Sequence, residues 1–323
     1  MKINIDGFVL SVIAVIGIAY IFPQWGVPGS KIPIDTISTI GVSLIFFFYG
    51  LKLSPEKLNS GIKNWKLHLL VQASTFVIFP LLVLLFRPLV QNQEQEIIWL
   101  AFFFLAALPS TVSSSVVMVS IAKGNIPAAI FNASISGIIG VLVTPLWMGL
   151  FVQNAQSDFD FTDIYTKLIV QIILPVIVGF LLQRFLGEMA QRYGKQLTLF
   201  DKSIILLIIY KSFAESFAGN VFSSVSILDI VLLLFAVVIL FYTVFLLTGF
   251  LALKMRFDLE DRITAQFCGT KKSLVHGTVF SKILFSNMAS IGIILLPLML
   301  FHATQLLIIS VVASKMSRNA SID

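Results

Sequence analysis

Apolar residues in this chain fall into ten long runs separated by short polar breaks: roughly Gly7–Phe22, Thr36–Leu53, Leu67–Phe86, Ile97–Ala122, Pro127–Val152, Ile164–Leu186, Ser203–Phe222, Leu228–Leu253, Ile263–Leu284 and Ala289–Ala313. A run of about 20 such residues carries a helix across a hydrocarbon core, so the pattern predicts an all-α polytopic membrane protein with ten transmembrane helices. Pro23-Gln24-Trp25, not a small-residue cleavage site, follows the first run, which therefore reads as a retained span.

Composition agrees: 58% of the 323 residues are hydrophobic and 12% are charged, about half the charged share of a soluble domain. Mean hydropathy is +0.98. The net charge of +6 is scattered over short loops and reads as a topology signal, not a nucleic-acid surface. Lys52, Lys57, Lys63 and Lys66 follow the second run, Lys123 the fourth, Arg184, Arg192, Lys195 and Lys202 the sixth, Lys254, Arg256 and Arg262 the eighth, and Lys315 and Arg318 the tenth. The intervening loops hold Asp158, Asp160 and Asp163, and in those loops only Lys31 and Arg87 clearly break that side. The positive-inside rule places the basic loops and both termini in the cytoplasm, across a cell (inner) membrane. The single cysteine, Cys268, excludes an internal disulfide.

Five spans per half require any second copy to be inverted. Repeats over 1–153 and 160–315 are the expectation, because the fourth run is interrupted by Leu108-Pro109-Ser110-Thr111 and the ninth by Cys268-Gly269-Thr270-Lys271-Lys272. Similar stretches follow each break: Asn132-Ala-Ser-Ile-Ser-Gly up to Thr144-Pro145-Leu146, and Asn287-Met-Ala-Ser-Ile-Gly up to Leu296-Pro297-Leu298. Broken helices expose backbone groups whose desolvation costs several kcal/mol each unless protein, water or an ion satisfies them, so matched breaks point to a cavity between the two helices; the alternative is a kink at each, satisfied by local Ser and Thr hydroxyls.

A lysine at the bilayer centre costs about 2.5–3.5 kcal/mol even on lenient scales, which excludes lipid-facing positions for Lys271 and Lys272. Two readings stand: an ammonium that neutralises an anionic substrate or takes the place of a bound cation, or one that pairs with broken-helix carbonyls or a buried carboxylate and only holds the crossing together. Ser273 and His276 follow on the next half-helix. His276 is a titratable candidate for proton coupling, against the alternative of a satisfied structural donor, the commoner role of a lone histidine. Thr111, Ser113, Ser114, Ser115 and Ser120 cluster beside the first break, as cation ligands or as small packing residues. Lys211 and Glu215, spaced i, i+4, meet on one helix face as a self-neutralised pair. Gln72 and Gln171 are intramembrane amides that either reach a cavity or bridge helices. No phosphate-cradling loop, metal-spaced His/Cys set or nucleophile elbow is present, which argues against an enzyme and against an ATP-driven pump; no cofactor is expected.

At Ala107-Leu-Pro-Ser-Thr-Val-Ser-Ser-Ser, Ile121-Ala-Lys-Gly-Asn-Ile-Pro-Ala-Ala and Cys268-Gly-Thr-Lys-Lys-Ser-Leu the chain resembles the bile acid:sodium symporter superfamily, in its SBF-like branch. The resemblance covers nearly the whole chain. It implies a panel domain of spans 1, 2, 6 and 7, a core domain of spans 3–5 and 8–10, and a substrate and ion site at crossed helices 4 and 9. Pro109, Ser110, Thr111, Ser114, Ser115, Gln72, Asn132, Gly269, Thr270, Lys271, Lys272, Ser273 and His276 are then the candidate substrate- and ion-binding residues. Ser115 and Gln72 would be residual sodium ligands. The other ligand positions depart from the sodium-coupled pattern: Val116 replaces an asparagine, Ala129 and Ala133 fall on span 5, Phe267 replaces the acidic ligand and Lys271 a glutamine. A lysine beside sodium is repulsive in low dielectric. The reading is a secondary transporter moving a small organic, anionic solute by alternating access, coupled to sodium, to protons or to neither. The alternatives are a non-transporting membrane regulator of ion (calcium) homeostasis, suggested by a eukaryotic member of the branch, and a passive channel.

Overall fold

Lipid offers no partner for backbone N–H and C=O groups, so apolar runs of this length become helices. A computed structural model of the chain describes residues 7–27, 30, 32–53, 64–111, 113–152, 161–286, 288 and 290–319, and no strand occurs among them. Lys31, Lys57, Lys63, Asp158, Asp160 and Asn287 lie outside the described residues. Among the described residues six helical stretches are long and apolar enough to cross a membrane: Ile34–Lys52, Trp65–Leu89, Ile126–Val152, Thr162–Arg192, Ile227–Lys254 and Ile291–Ala313. The other four runs fall short for identifiable reasons. Gly7–Ile21 has 15 residues, the fourth and ninth runs are each cut in two, and Gly194–Ala218 carries Lys195, Asp201, Lys202, Lys211 and Glu215.

The chain forms two compact units. The first comprises Met1–Ser54, Gln153–Val225 and Thr278–Leu295, and within it run α1 (Gly7–Ile21) and α2 (Ile34–Lys52). The second comprises Pro55–Val152, Ser226–Gly277 and Leu296–Asp323. It holds α3 (Trp65–Ala73), α4 (Phe79–Leu84), α5 (Gln93–Ala107), α6 (Ser113–Ile121) and α7 (Ile126–Val152). The first unit resumes with α8 (Phe161–Leu168), α9 (Leu174–Arg192) and α10 (Gly194–Ala218), and the second with α11 (Ile227–Lys254) and α12 (Leu259–Gly269). The helices α13 (Leu274–Leu284) and α14 (Ile291–Asn319) each begin in one unit and end in the other.

In the first unit α2 and α9 touch backbone to backbone. A Cβ on Gly50 would strike the Val176 carbonyl and come within 2.9 Å of the Phe180 nitrogen, and one on Gly179 would strike the Phe47 carbonyl. Reciprocal glycines are how membrane helices reach such proximity. In the second unit a π-helical turn, Ser74–Ile78, joins α3 to α4 just ahead of Pro80. Proline cannot donate to the carbonyl four residues back, and that carbonyl, of Phe76, instead accepts the Trp147 indole N–H at 2.8 Å. A second π turn, Ile169–Ile173, precedes Pro175 in the first unit in the same way.

The Lys-Gly-Asn turn is structural. Lys123 has φ 58° and the Gly124 N–H donates to the Val119 carbonyl at 2.9 Å, a left-handed helix end. Asn125 then caps α7 through Ala128, takes its own N–H to the Thr264 hydroxyl at 2.8 Å, and donates its amide to Asp261 Oδ1 at 2.8 Å. Asn64, the cap of α3, donates to the other Asp261 oxygen. Three helix starts are thereby tied to one carboxylate.

The two stretches that look alike in sequence differ in conformation. Asn132 lies inside α7, whereas Met288 and Ser290 precede the start of α14 at Ile291, and Pro145 and Pro297 both lie within helices. Sequence likeness there does not carry over into secondary structure, because the second stretch contains the turn out of α13.

Candidate functional site

The first interruption separates α5 from α6 at Leu108–Thr111, and the second separates α12 from α13 at Thr270–Ser273. Both lie in the second unit. Helix ends leave carbonyls and N–H groups without intrahelical partners, and here each break supplies what the other lacks. The Ser273 N–H donates to the Pro109 carbonyl at 2.9 Å, and the Ser110 hydroxyl donates to the Cys268 carbonyl at 2.7 Å.

One face of α7 completes the first break. Ser136, Gly140 and Thr144 repeat at i, i+4 and i+8, so they lie above one another. The Ser136 hydroxyl accepts the Ser110 N–H at 3.0 Å, and the Thr144 hydroxyl donates to the Ala107 carbonyl at 2.7 Å. Gly140 leaves the space that the Pro109 ring fills, since a Cβ there would lie 2.7 Å from Pro109 Cγ. Gln305 of α14 completes the second break: its amide oxygen accepts the Lys272 N–H and its amide nitrogen donates to the Lys272 carbonyl, each at 2.9 Å.

Lys272 is wholly buried, and its ammonium donates to the carbonyls of Thr75, Ala106 and Leu108 at 2.7, 2.6 and 2.8 Å. It also lies 4.2 Å from the centre of the Phe79 ring, a cation–π distance. Three carbonyl oxygens and a π face surround this charge as they would a bound monovalent cation. Two of the carbonyls come from the end of α5 and the third from the π turn, where helical bonding is interrupted. Lys271 is also fully buried and donates to the Ser114 carbonyl at 2.6 Å.

The remaining candidates divide into small clusters. The Thr111 hydroxyl hydrogen-bonds with Ser114 and Ser115 at 2.8 and 2.9 Å. Gln72 donates to the carbonyl and side-chain oxygens of Asn132, whose amide reaches His68 at 2.9 Å. Among the described residues no hydrogen bond joins the networks of the two residual sodium-ligand candidates, Ser115 and Gln72. Ser273 caps α13 and pairs with His276 Nδ1 at 2.9 Å. Thr270 folds back on the Gln266 carbonyl at 2.6 Å, and Gly269 packs on Ser74, 3.0 Å from where its Cβ would be.

Sequence reasoning missed Gln305, Ser136, Thr144 and Phe79. Gln305 was the one with a signal, an amide in an otherwise apolar run. Lys211 and Glu215 do pair, at 3.3 Å, but Lys211 also pairs with Asp35, so the two-residue pair is part of a larger cluster in the first unit.

The SBF-like CPA transporter family model matches residues 6–318. Among similar proteins is the uncharacterized protein PA2026 of Pseudomonas aeruginosa, 37% identical over 97% of this chain and 93% of its own length. YfeH of Escherichia coli, whose name marks it as an inferred symporter, is 34% identical over 97% and 93%. Sodium/bile acid cotransporter 7 of Danio rerio is 33% identical over 96% and 93%. With a family match along nearly its whole length, this multi-pass membrane protein belongs to the SBF-like CPA transporter family.

Proposed function

We propose that the chain is a secondary transporter that moves a small organic anion by alternating access, with the Lys272 ammonium as a tethered cation where the two broken helices meet. The observation that carries this reading is the set of three carbonyls on Lys272 Nζ. A sodium ion at those oxygens would face a covalently held positive charge, and like charges a few ångströms apart repel strongly in low dielectric. The zebrafish relative's name includes sodium; the residues at the breaks of this chain favour transport that needs no sodium there.

The architecture that fits is ten spans in two inverted repeats of five, with both termini in the cytoplasm of a cell (inner) membrane and the breaks at mid-depth. Unbroken helices would offer a solute only side chains. Interrupted ones, with their backbone groups already satisfied by side chains, leave a polar seam that rearranges without exposing orphaned groups to lipid. Division of the chain into two compact units suits a motion of one body against another.

Purified protein in liposomes provides the test. Uptake of a panel of labelled small carboxylates and sulfonates is expected, and replacing sodium by potassium on both sides should leave it unchanged. The reading fails if no panel member is taken up, or if uptake stops when sodium is removed.

A further inference from the structure

A cavity of about 320 Å³ is lined wholly by residues of the first unit, and none of its lining residues belongs to a helix break. Its wall carries Asp35 of α2, Lys211 and Glu215 of α10, Lys282 of α13 and Gln171 of the second π turn. The charges are unevenly satisfied. Lys211 pairs with both carboxylates, Asp35 and Glu215. Lys167, also on the wall, is neutralised by Asp163 at 2.6 Å. Lys282 has no ion pair among the described residues: its ammonium donates to the Ser38 hydroxyl at 2.6 Å, the Thr39 hydroxyl at 2.7 Å and the Asp35 backbone carbonyl at 3.1 Å. All three acceptors are neutral. The cavity therefore has both carboxylates ion-paired to one lysine and a second lysine that forms no ion pair among the described residues.

We infer that this cavity binds a small organic monoanion, a carboxylate or sulfonate with an apolar body, with Lys282 as its charge partner. The anion's oxygen takes the place of the Asp35 carbonyl, the longest of the three bonds, and a charge-assisted contact replaces a neutral one. Gln171 and Ser286 supply further donors, and Ile208, Ile283 and Ile291 an apolar wall. At about 30 Å³ per water the space holds roughly ten waters, or an anion of about ten non-hydrogen atoms. The site deepens the transport reading by naming a place for the solute, but binding itself requires no transport.

Calorimetric titration of the full-length protein in detergent tests it, with phenylacetate, phenylmethanesulfonate and the neutral isostere phenylacetamide as probes. Phenylacetate or phenylmethanesulfonate should bind, and phenylacetamide at least about tenfold more weakly. Lys282→Gln should weaken the anion by a similar factor, and Lys282→Arg should keep most of the affinity. Glu215→Gln should strengthen binding, because it removes one of the two negative charges on the cavity wall while Lys211 keeps its pair with Asp35. Gel filtration of each variant checks that it folds, and Gln171→Ala supplies a variant outside the ion network that should weaken the anion by a few-fold. Equal binding of phenylacetate and phenylacetamide, no binding of either anion, or full affinity in folded Lys282→Gln overturns the inference. Anion binding without uptake in liposomes would sink the transport reading alone, and uptake in liposomes with full anion affinity in folded Lys282→Gln would sink this site alone.

Discussion

The Lys272 ammonium lies 2.8 Å from the carbonyl oxygen of Leu108, a residue 164 positions earlier in the chain. Together with its bonds to Thr75 and Ala106 this makes one side chain the shared partner of a helix end and a π turn. Lysine suits the place because its ammonium has three donors on a compact charge, one for each carbonyl.

Truncation at this position leaves three buried acceptors without donors. Each costs about 1–3 kcal/mol, so Lys272→Met should destabilise the protein by at least about 3 kcal/mol. Lys271→Met removes one donor to Ser114 and should cost about 1–2 kcal/mol. Thermal unfolding in detergent compares them. Lys272→Arg should not rescue, since a planar guanidinium does not fit three carbonyls converging on a point. Similar midpoints for the two methionine variants would show that the carbonyls find other partners.

The breaks were legible in sequence because proline, glycine and charge interrupt an apolar run. The Thr75 carbonyl was not, because its availability comes from a π turn, a backbone event whose only trace in sequence is Pro80 two residues beyond it. Lys282 was passed over for a different reason. A lysine at the last turn of an apolar run reads as a side chain snorkelling to the interface, and only the fold sets it beside Ser38 and Thr39. Helix positions followed hydropathy closely, while α5, α8 and α10 begin earlier than the apolar runs do, because polar residues continue a helix once it is nucleated.

Gly50 and Gly179 should each resist any side chain. The atoms their Cβ would meet are backbone carbonyls of the facing helix, which cannot turn aside as a side chain can. Gly50→Ala and Gly179→Ala are each expected to cost about 1–3 kcal/mol as overpacking, and the double variant less than the sum, because one separation of α2 from α9 relieves both. Gly17→Ala is the control. Nothing lies within 4 Å of its would-be Cβ, and alanine should stabilise α1 by up to about 1 kcal/mol.

The turn after α6 makes opposite demands on neighbouring residues. Lys123 holds a left-handed φ of 58°, strained by about 1 kcal/mol for a residue with a Cβ. Lys123→Gly should therefore be neutral or slightly stabilising, despite glycine's greater entropy when unfolded. At Gly124 a Cβ would lie 2.9 Å from both Ile263 Cγ2 and Val119 Cγ1, and Gly124→Ala should lower the unfolding midpoint. Asp261→Ala should lower it further, because two asparagine amides lose their acceptor. If Lys123→Gly proves the most damaging of the three, the turn's strain is not what fixes its sequence.

Orientation follows from where the charges fall, and Cys268 makes it measurable. It is the chain's single cysteine and is fully buried, so Cys268→Ala gives a background without thiols at little cost. Cysteines placed in that background at Lys66 and Lys254 sit in basic segments, and those at Asn92 and Ser223 in segments between the basic ones; all four positions are exposed. Lysine and arginine near span ends are retained in the cytoplasm. A membrane-impermeant maleimide added to intact cells should therefore label positions 92 and 223 at once, and positions 66 and 254 only after permeabilisation. Labelling of all four from outside would mean the chain does not cross as often as its apolar runs require. A reversed pattern would place the termini outside, and with them the whole assignment of inner and outer ends to the helices that flank Lys271 and Lys272.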